Sequence, residues 1–505
     1  MRKDTQLPRR DFLKTSAAAA AAFTILPSGT YGRTRRISAN DRVNIATIGC
    51  GGMGRANLQA LASMNHVALC DVDWAYVDSR FADIPKQIEN ASKRAADSSD
   101  AAQKERSLQQ VKDWQALEAQ LPKAKRFTDY REMLDKQKNI DAVVIATPDH
   151  GHAVQALAAM DLGKHVYVQK PLCWSVEECR LLTARAAKTR VQTQMGNQGH
   201  SSDDARKVNE YIQSGAIGTV SEVHVWTNRP LAYWPQGIPR PAPLPVNAGS
   251  LPWNMNGVMT RAAGSFGSFT PPDKLAWDLF LGPSRQVDYH PIYHPFNWRG
   301  WCDWGVGAIG DMGAHLIDSS FWALDLDYPT SIETTSTPYN KDTYPLATTT
   351  YYEFPARGAR PAVKMTWYDG GLLPPKPAEM GDEEFNKGGG VLFVGTKGKL
   401  LHDTYGYNPR LLPRSLHEST GVPPQTFARI KTSHEMNWID AIRGTQKTTS
   451  PFEYSAKLTE IMLLGVVALN AGKKIQYDGA GMRVTNVADS DALLKRVYRE
   501  GWKPA

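Results

Sequence analysis

Val43-Asn44-Ile45-Ala46-Thr47-Ile48-Gly49-Cys50-Gly51-Gly52-Met53-Gly54 is the stretch on which the fold turns. Residues 43–49 form a short apolar run of strand type, and Arg55–Met64 continues with Leu58, Leu61 and Ala62 at helical spacing. Between them Gly49, Gly51 and Gly54 make a G-x-G-x-x-G turn, with Gly52 and Met53 inside it. The first glycine permits the tight turn, the second lets backbone approach a pyrophosphate, and the third lets helix and strand pack closely. The helix N-terminus then faces the phosphate charge. Asp71 ends a second strand, His66–Asp71, and lies 22 residues beyond Gly49. A carboxylate there accepts hydrogen bonds from an adenosine ribose and repels a 2′-phosphate, so the stretch predicts NAD rather than NADP.

Outward from this unit, strands and helices alternate. Asp141–Thr147 reads as a buried strand, His152–Leu162 as a helix and His165–Gln169 as a strand, then Val176–Lys188 as helix and Val191–Met195 as strand. Asp78–Leu121 reads as helix with a polar insertion around Ala95–Gln103. This alternation predicts a parallel, doubly wound sheet. After Ser201 the pattern changes. β-Branched and aromatic residues dominate Val220–Trp226, Ser331–Thr335, Thr348–Phe354, Ala362–Tyr368 and Gly390–Val394, with few helical signals among them. That predicts a mostly antiparallel open sheet. Helical spacing returns over residues 434–470. The fold class is therefore α/β: a dinucleotide-binding domain over residues 37–200, then an α/β domain over 201–505 with a large open sheet and C-terminal helices.

Composition sets the outer limits. With 42% hydrophobic and 22% charged residues, the 505-residue chain is globular rather than disordered. No apolar run reaches the roughly 18–20 residues of a membrane span. A net charge of +8 raises the question of nucleic-acid binding. Much of it sits at the N-terminus, in Arg2, Lys3, Arg9, Arg10, Lys14, Arg33, Arg35 and Arg36. The body is nearly balanced and has no basic stripe interleaved with aromatics, so nucleic acid is not an expected partner. Five cysteines without C-x-x-C spacing indicate neither a disulfide framework nor a zinc site.

The basic N-terminus has its own reading. Arg9-Arg10-Asp11-Phe12-Leu13-Lys14 precedes an alanine run ending Phe23-Thr24-Ile25-Leu26-Pro27. A basic patch before a short apolar segment has the anatomy of a cleavable signal. The paired arginines resemble a twin-arginine export signal. Residues 1–36 are thus expected to be signal and arm, placing the mature chain in the periplasm or otherwise outside the cytoplasm.

Two further motifs carry chemistry. Val168-Gln169-Lys170-Pro171 places a lysine at the C-terminal end of a strand, facing the crevice where such sheets bind ligands. Its ammonium can polarise a substrate hydroxyl. Gly310-Asp311-Met312-Gly313-Ala314-His315 sets Asp311 and His315 four residues apart, on one face of a helix. Histidine can take a hydroxyl proton while hydride leaves the same carbon, and Asp311 can orient substrate or imidazole. No third ligand stands at a metal-binding spacing.

The order G-x-G-x-x-G, then [E/Q]-K-P, then D-x-x-x-H resembles the Gfo/Idh/MocA family of oxidoreductases, over nearly everything from Asn40 to about Asp478. The segments 193–200 and 225–230 look like an exported branch of that family, similar to glucose-fructose oxidoreductase. The resemblance implies a Rossmann domain and a homo-oligomer, dimer or tetramer; the export signal implies that NAD travels tightly bound, since an extracytoplasmic protein cannot draw on a cytosolic pool. It implies a catalytic set of Lys170, Asp311 and His315, with His315 as general base. It also implies that Thr147, His152, Gln169, Lys170 and Gln198 join Gly49, Gly51, Gly52, Met53, Gly54 and Asp71 around the cofactor, with His152 near the nicotinamide. One departure is Gln169, where the family usually has Glu.

Substrate type is read from the Pro/Trp/Gly-rich stretch Arg229–Trp304 and the strand before it. Aromatic faces beside polar groups suit sugar rings, whose C–H faces stack while their hydroxyls need directed hydrogen bonds. The predicted substrate-binding set is Trp226, Asn228, Arg229, Trp234, Tyr293, Asn297 and Asp311, with about half of the local aromatics expected to pack under the loop. The function expected is NAD-dependent oxidation of a secondary hydroxyl, C3 by family analogy, of a sugar or glycoside. The alternative is redox-neutral glycoside hydrolysis through transient C3 oxidation, elimination, hydration and reduction. A non-catalytic sugar- or nucleotide-binding protein is the third reading, disfavoured by the joint presence of Lys170, Asp311 and His315.

Overall fold

The computed structural model describes residues 42–241 and 269–504. The export signal, and Trp253 of the aromatic-rich stretch, lie outside the described residues. Six parallel strands form the first sheet: β1 (Asn44–Ile48), β2 (Asn65–Cys70), β3 (Lys125–Phe127), β4 (Ala142–Ile145), β5 (His165–Val168) and β6 (Thr193–Met195). Their order is β3-β2-β1-β4-β5-β6, so the winding reverses between β1 and β4. Ligands bind at such a switch point, beyond the strands' carboxyl ends. β4 and β5 are buried at every residue, as strands covered by helices on both faces must be.

Two glycines need their missing side chains at the turn after β1. Gly49 has φ +83°, and a Cβ on Gly54 would lie 1.7 Å from the Gly49 carbonyl oxygen. The helix Met53–Ala60 therefore starts hard against the strand it follows. The long helical stretch read from the sequence is three helices, Trp74–Ala82, Ile84–Asp97 and Ala101–Gln120. The break at 98–100 arises because Asp100 caps the last of them, accepting from Ala102 and Gln103 N–H.

The second sheet has nine strands, β7 (Val220–Thr227), β8 (Ser331–Ser336), β9 (Thr348–Phe354), β10 (Val363–Tyr368), β11 (Gly389–Gly395), β12 (Lys399–Asp403), β13 (Arg410–Leu412), β14 (Ile475–Asp478) and β15 (Arg483–Val484). Every pairing is antiparallel except β7 with β10. Among the described residues the last four strands, at most five residues each, and the three-residue β3 of the first sheet are the ones that the sequence pattern did not announce. One face of this sheet packs on the helices Gly307–Ala323 and Phe452–Ala471. The first contains Gly310 and Gly313, poor helix formers whose cost of about 1 kcal/mol each is offset by burial. Gly313 lets Met462 approach to within 3.0 Å of where a Cβ would stand.

The chain also returns to the first sheet. In the helix His434–Ile442, Trp438 and Ile439 are fully buried against Val43, Ile45, Ala142, Val144 and Tyr167. The C-terminal segment is anchored by Arg496, whose guanidinium meets Glu178 at 3.2 Å with both side chains buried. Beyond it Trp502 reaches the ligand crevice. Among the described residues no helix is long and apolar enough to cross a membrane.

Candidate active site

A cavity of about 490 Å³ runs from the glycine turn, past the ends of β4 and β5, to the start of the helix Gly307–Ala323. At one end Gly49, Gly51, Gly52 and Met53 form its wall with Asp71. Among the described residues no side chain caps the helix Met53–Ala60, and none lies within 4 Å of where a Gly52 Cβ would stand. This leaves helix N–H groups and bare backbone for a pyrophosphate. Gly54 lies beneath this wall as the packing contact. The Asp71 carboxylate is fixed by N–H groups of Cys50 (2.7 Å) and Asp73 (2.9 Å). Burial pushes its acidity down, so its pKa is raised, while those two donors oppose the shift. The donor set and the open cradle fit a dinucleotide without a 2′-phosphate.

The nucleotide end is roofed by residues distant in sequence. Leu279, Phe280, Pro283, His294 and Trp502 face the same cavity. The roof is tied down where Ala276 N–H donates to the Val72 carbonyl (2.8 Å) and His294 Nε2 meets Asp73 Oδ2 at 2.8 Å. None of these contacts was legible in the sequence, since each joins residues some 200 positions apart.

At the other end Lys170, Asp311 and His315 meet. Lys170 Nζ donates to Asp311 Oδ1 (2.7 Å) and to its backbone carbonyl (2.6 Å). Arg229 Nε donates to Asp311 Oδ2 at 3.3 Å, and Arg299 Nε lies 3.6 Å from Oδ1. Burial would raise the Asp311 pKa, but Lys170, Arg299 and Arg229 together hold it well below the usual carboxylate range. His315 is 6% exposed and stands edge-on to Tyr405, with ring centroids 4.6 Å apart. Burial first, and then the Lys170 charge, push its pKa far down, so the imidazole is neutral. Among the described residues its buried Nδ1 has no hydrogen-bond partner.

Two charged residues absent from the sequence-based set share this wall. Asp149, in Thr147-Pro148-Asp149-His150, accepts from Val306 N–H (3.0 Å) at the start of the helix bearing Asp311. Burial pushes its pKa up to about 7, against the pull of Arg299 and Lys170. Arg299 is the other. A buried Asp beside a strand end was a signal available in the motif; nothing local marked Arg299.

The remaining predicted residues divide. Thr147, Gln169, Gln198, Arg229 and Trp234 line the cavity. His152, expected near the nicotinamide, is instead buried behind the wall, its ring nitrogens 2.7 and 2.8 Å from the carbonyls of Pro171 and Thr147. Trp226, Asn228, Tyr293 and Asn297 are not among the described lining residues. Side chains alternate along β7, so Val225 faces the helices while Trp226 turns to the other face and packs on Phe385. Asn228 Oδ1 accepts from Arg229 (2.7 Å) and so positions that guanidinium. Tyr293 is core, edge-on to Trp301 and Trp304, and Asn297 begins a short 3₁₀ turn.

Gln169 does not address Lys170. Its Nε2 donates to Asn57 Oδ1 (2.9 Å), and Asn57 Nδ2 donates to the buried Glu435 carboxylate (3.1 Å). The amide at 169 thus joins a relay ending at an acid on the helix His434–Ile442, where a second carboxylate would raise the desolvation cost.

Comparisons agree with this architecture. Residues 43–197 match a family model described as oxidoreductase family, NAD-binding Rossmann fold, and residues 257–359 its C-terminal alpha/beta domain. Residues 6–25 match the twin-arginine translocation signal, so the chain carries that export signal. A 1-carboxy-3-chloro-3,4-dihydroxycyclohexa-1,5-diene dehydrogenase of Comamonas testosteroni is 32% identical over 105 residues, 21% of this chain and 26% of that protein. An alpha-N-acetylgalactosaminidase of Shewanella oneidensis is 25% identical over 232 residues, 42% of this chain and 43% of its own. The matches thus span less than half of these curated relatives. The WlbA dehydrogenase of Chromobacterium violaceum, solved with NADH and UDP-GlcNAcA, superposes with TM-score 0.51 at 15% identity, covering 90% of this chain and 99% of that one. The shared feature at that identity is the fold.

Proposed function

The chain belongs to the Gfo/Idh/MocA family of NAD-binding oxidoreductases, and from that premise we propose that it oxidises a secondary hydroxyl, at C3, of a sugar or glycoside after export. The observation that carries the reading is the meeting of Lys170, Asp311 and neutral His315 on one wall of a cavity continuous with the glycine turn. Bound NAD supplies the two-electron acceptor. His315 takes the hydroxyl proton as the carbonyl forms, and Lys170 stabilises charge developing on that oxygen. Asp311 holds the Lys170 ammonium at 2.7 Å, so its position is set before substrate arrives. Residues 37–200 act as the cofactor domain and 201–505 as the substrate domain. A homo-oligomer, dimer or tetramer, joins the second sheets through the face on which Tyr351 is 45% exposed.

Export favours the redox-neutral alternative as a second reading, because no cytosolic NAD pool refreshes the site. In that cycle the C3 ketone acidifies the C2 proton, the anomeric substituent leaves, water adds and the ketone is reduced again. The roof of Leu279–Pro283, His294 and Trp502 over the nucleotide end supports a cofactor retained between turnovers. Abstraction at C2 needs a second base, and Asp149, pushed up to about 7, suits it. Asp149→Asn is expected to remove an inflection near pH 7 from kcat/KM for glycoside cleavage, with the wild-type rate rising as the carboxylate ionises. An unchanged pH profile would take Asp149 out of the mechanism.

Mass identification of nucleotide released on denaturing the purified protein tests the common premise. NAD or NADH near one per chain is expected; absence of both would remove the retained-cofactor reading. Product analysis then separates the chemistries, free sugar without net oxidation marking hydrolysis and an accumulating keto sugar marking net oxidation.

A further inference from the structure

The substrate end of the cavity has more positive charge than its own carboxylates can neutralise. Its charged lining residues are Lys170, Arg229, Arg299, Asp149 and Asp311. Asp311 is ionised, whereas Asp149, near 7, is partly protonated at neutral pH. His315 is neutral. The other charged groups of the cavity, Asp71, Arg80 and Asp129, lie beside the glycine turn and its neighbouring strands, at the nucleotide end, where Arg80 is paired with Asp83 and Asp129 with Arg131. The sequence between residues 242 and 268 contains Arg261 and no Asp or Glu, so it brings no neutralising acid.

The two arginines are also only partly used. Arg229 spends Nε on Asp311 and Nη1 on Asn228, and stacks its guanidinium over Tyr233. Arg299 spends Nη1 on the Phe296 carbonyl and lies over Trp298. Neither Nη2 has a hydrogen bond among the described residues. Both side chains are held in place, one by an aromatic face and an amide, the other by an aromatic face and a carbonyl. A pre-positioned guanidinium with a free N–H edge is a receptor for an oxyanion.

The geometry points to an acidic sugar as the substrate: one whose carboxylate or sulfate ester is taken by Arg229 and Arg299 while the hydroxyl to be oxidised faces Lys170 and His315. This rests on the oxidoreductase reading for the reacting hydroxyl, but the receptor itself is defined by charge. The anion and the reacting oxygen would be held by cations that share Asp311, with Lys170 and Arg299 beside its Oδ1 and Arg229 beside its Oδ2. A neutral sugar would leave both Nη2 groups without a charged partner.

The test uses the NAD-loaded full chain. Calorimetric binding is compared across methyl glycosides of glucuronate, galacturonate and mannuronate, the 6-O-sulfated hexosides, and the neutral parent hexosides. An acidic member is expected to bind about 10- to 100-fold tighter than its neutral parent, as a charge-assisted hydrogen-bond pair implies. The carboxylate and sulfate arms identify which oxyanion is taken. Arg299→Met should collapse that ratio toward one, with Arg299→Lys, which keeps charge without the planar fork, falling between. Neutral sugars binding as tightly as acidic ones, no binding by any of them, or a ratio that survives Arg299→Met would overturn the receptor. Tight binding of an acidic sugar without its oxidation or cleavage would instead overturn the enzymatic reading and leave the receptor standing.

Discussion

Replacing His315 with Asn is expected to lower turnover by about 10²–10⁴-fold, the range over which a positioned general base contributes. The imidazole is buried at the cavity wall, and burial together with the Lys170 charge keeps it neutral. It is therefore competent as a proton acceptor throughout the neutral range and needs no deprotonation first. Two consequences are measurable. For the hydride-transfer step itself, read in a single turnover, the wild-type profile should show no acid limb from His315 near the ordinary histidine value, because its lowered pKa moves that limb to lower pH. Asn fills similar space beside Tyr405 but cannot take the proton, so retained nucleotide and an unchanged melting temperature should accompany the lost rate. Single-turnover nicotinamide absorbance reads the chemical step directly. Unchanged turnover in this variant would sink the proposed mechanism.

Lys170→Met is the second large effect, a fall in kcat of about 10²–10³-fold from loss of the donor at the developing oxyanion. Removing one member of a buried ion pair often costs about 3–5 kcal/mol because a bare charge remains. Here the penalty should be smaller, since Arg229 and Arg299 still face Asp311 at 3.3 and 3.6 Å. The enzyme is thus expected to fold and keep nucleotide while losing rate. Stability against acid offers a second readout. The folded Asp311 pKa is depressed, so its stabilising contribution is present above the ordinary carboxylate pKa and is lost as pH falls through the lowered value. Lys170→Met raises that value and moves the loss to higher pH, measurable as the midpoint of acid unfolding. A folded variant with wild-type kcat would remove Lys170 from the chemistry.

Local pattern sufficed for the fold because its elements are signalled by neighbours in the chain. The apolar run before Gly49, the close approach at Gly54 and the alternation over residues 141–195 each depend on residues a few positions apart. The same holds for Lys170 at a strand end and for Asp311 and His315 one helical turn apart. It fails for β3 and for β12–β15, each too short to establish a period.

What the sequence by itself determined is the dinucleotide unit, the export signal and the three residues of the candidate centre. Only the tertiary structure decided which charged groups surround that centre. Arg229 and Arg299 reach Asp311 from chain positions 82 and 12 residues away, and the raised pKa of Asp149 follows from burial that long-range packing completes. Sequence pattern alone turns Trp226 and Tyr293 toward a sugar, whereas strand alternation and core packing direct them elsewhere. Helix and strand periodicity fix which residues share a face. Which face meets a cavity is settled by long-range packing, and pKa values follow from that packing through desolvation and the charges it brings close.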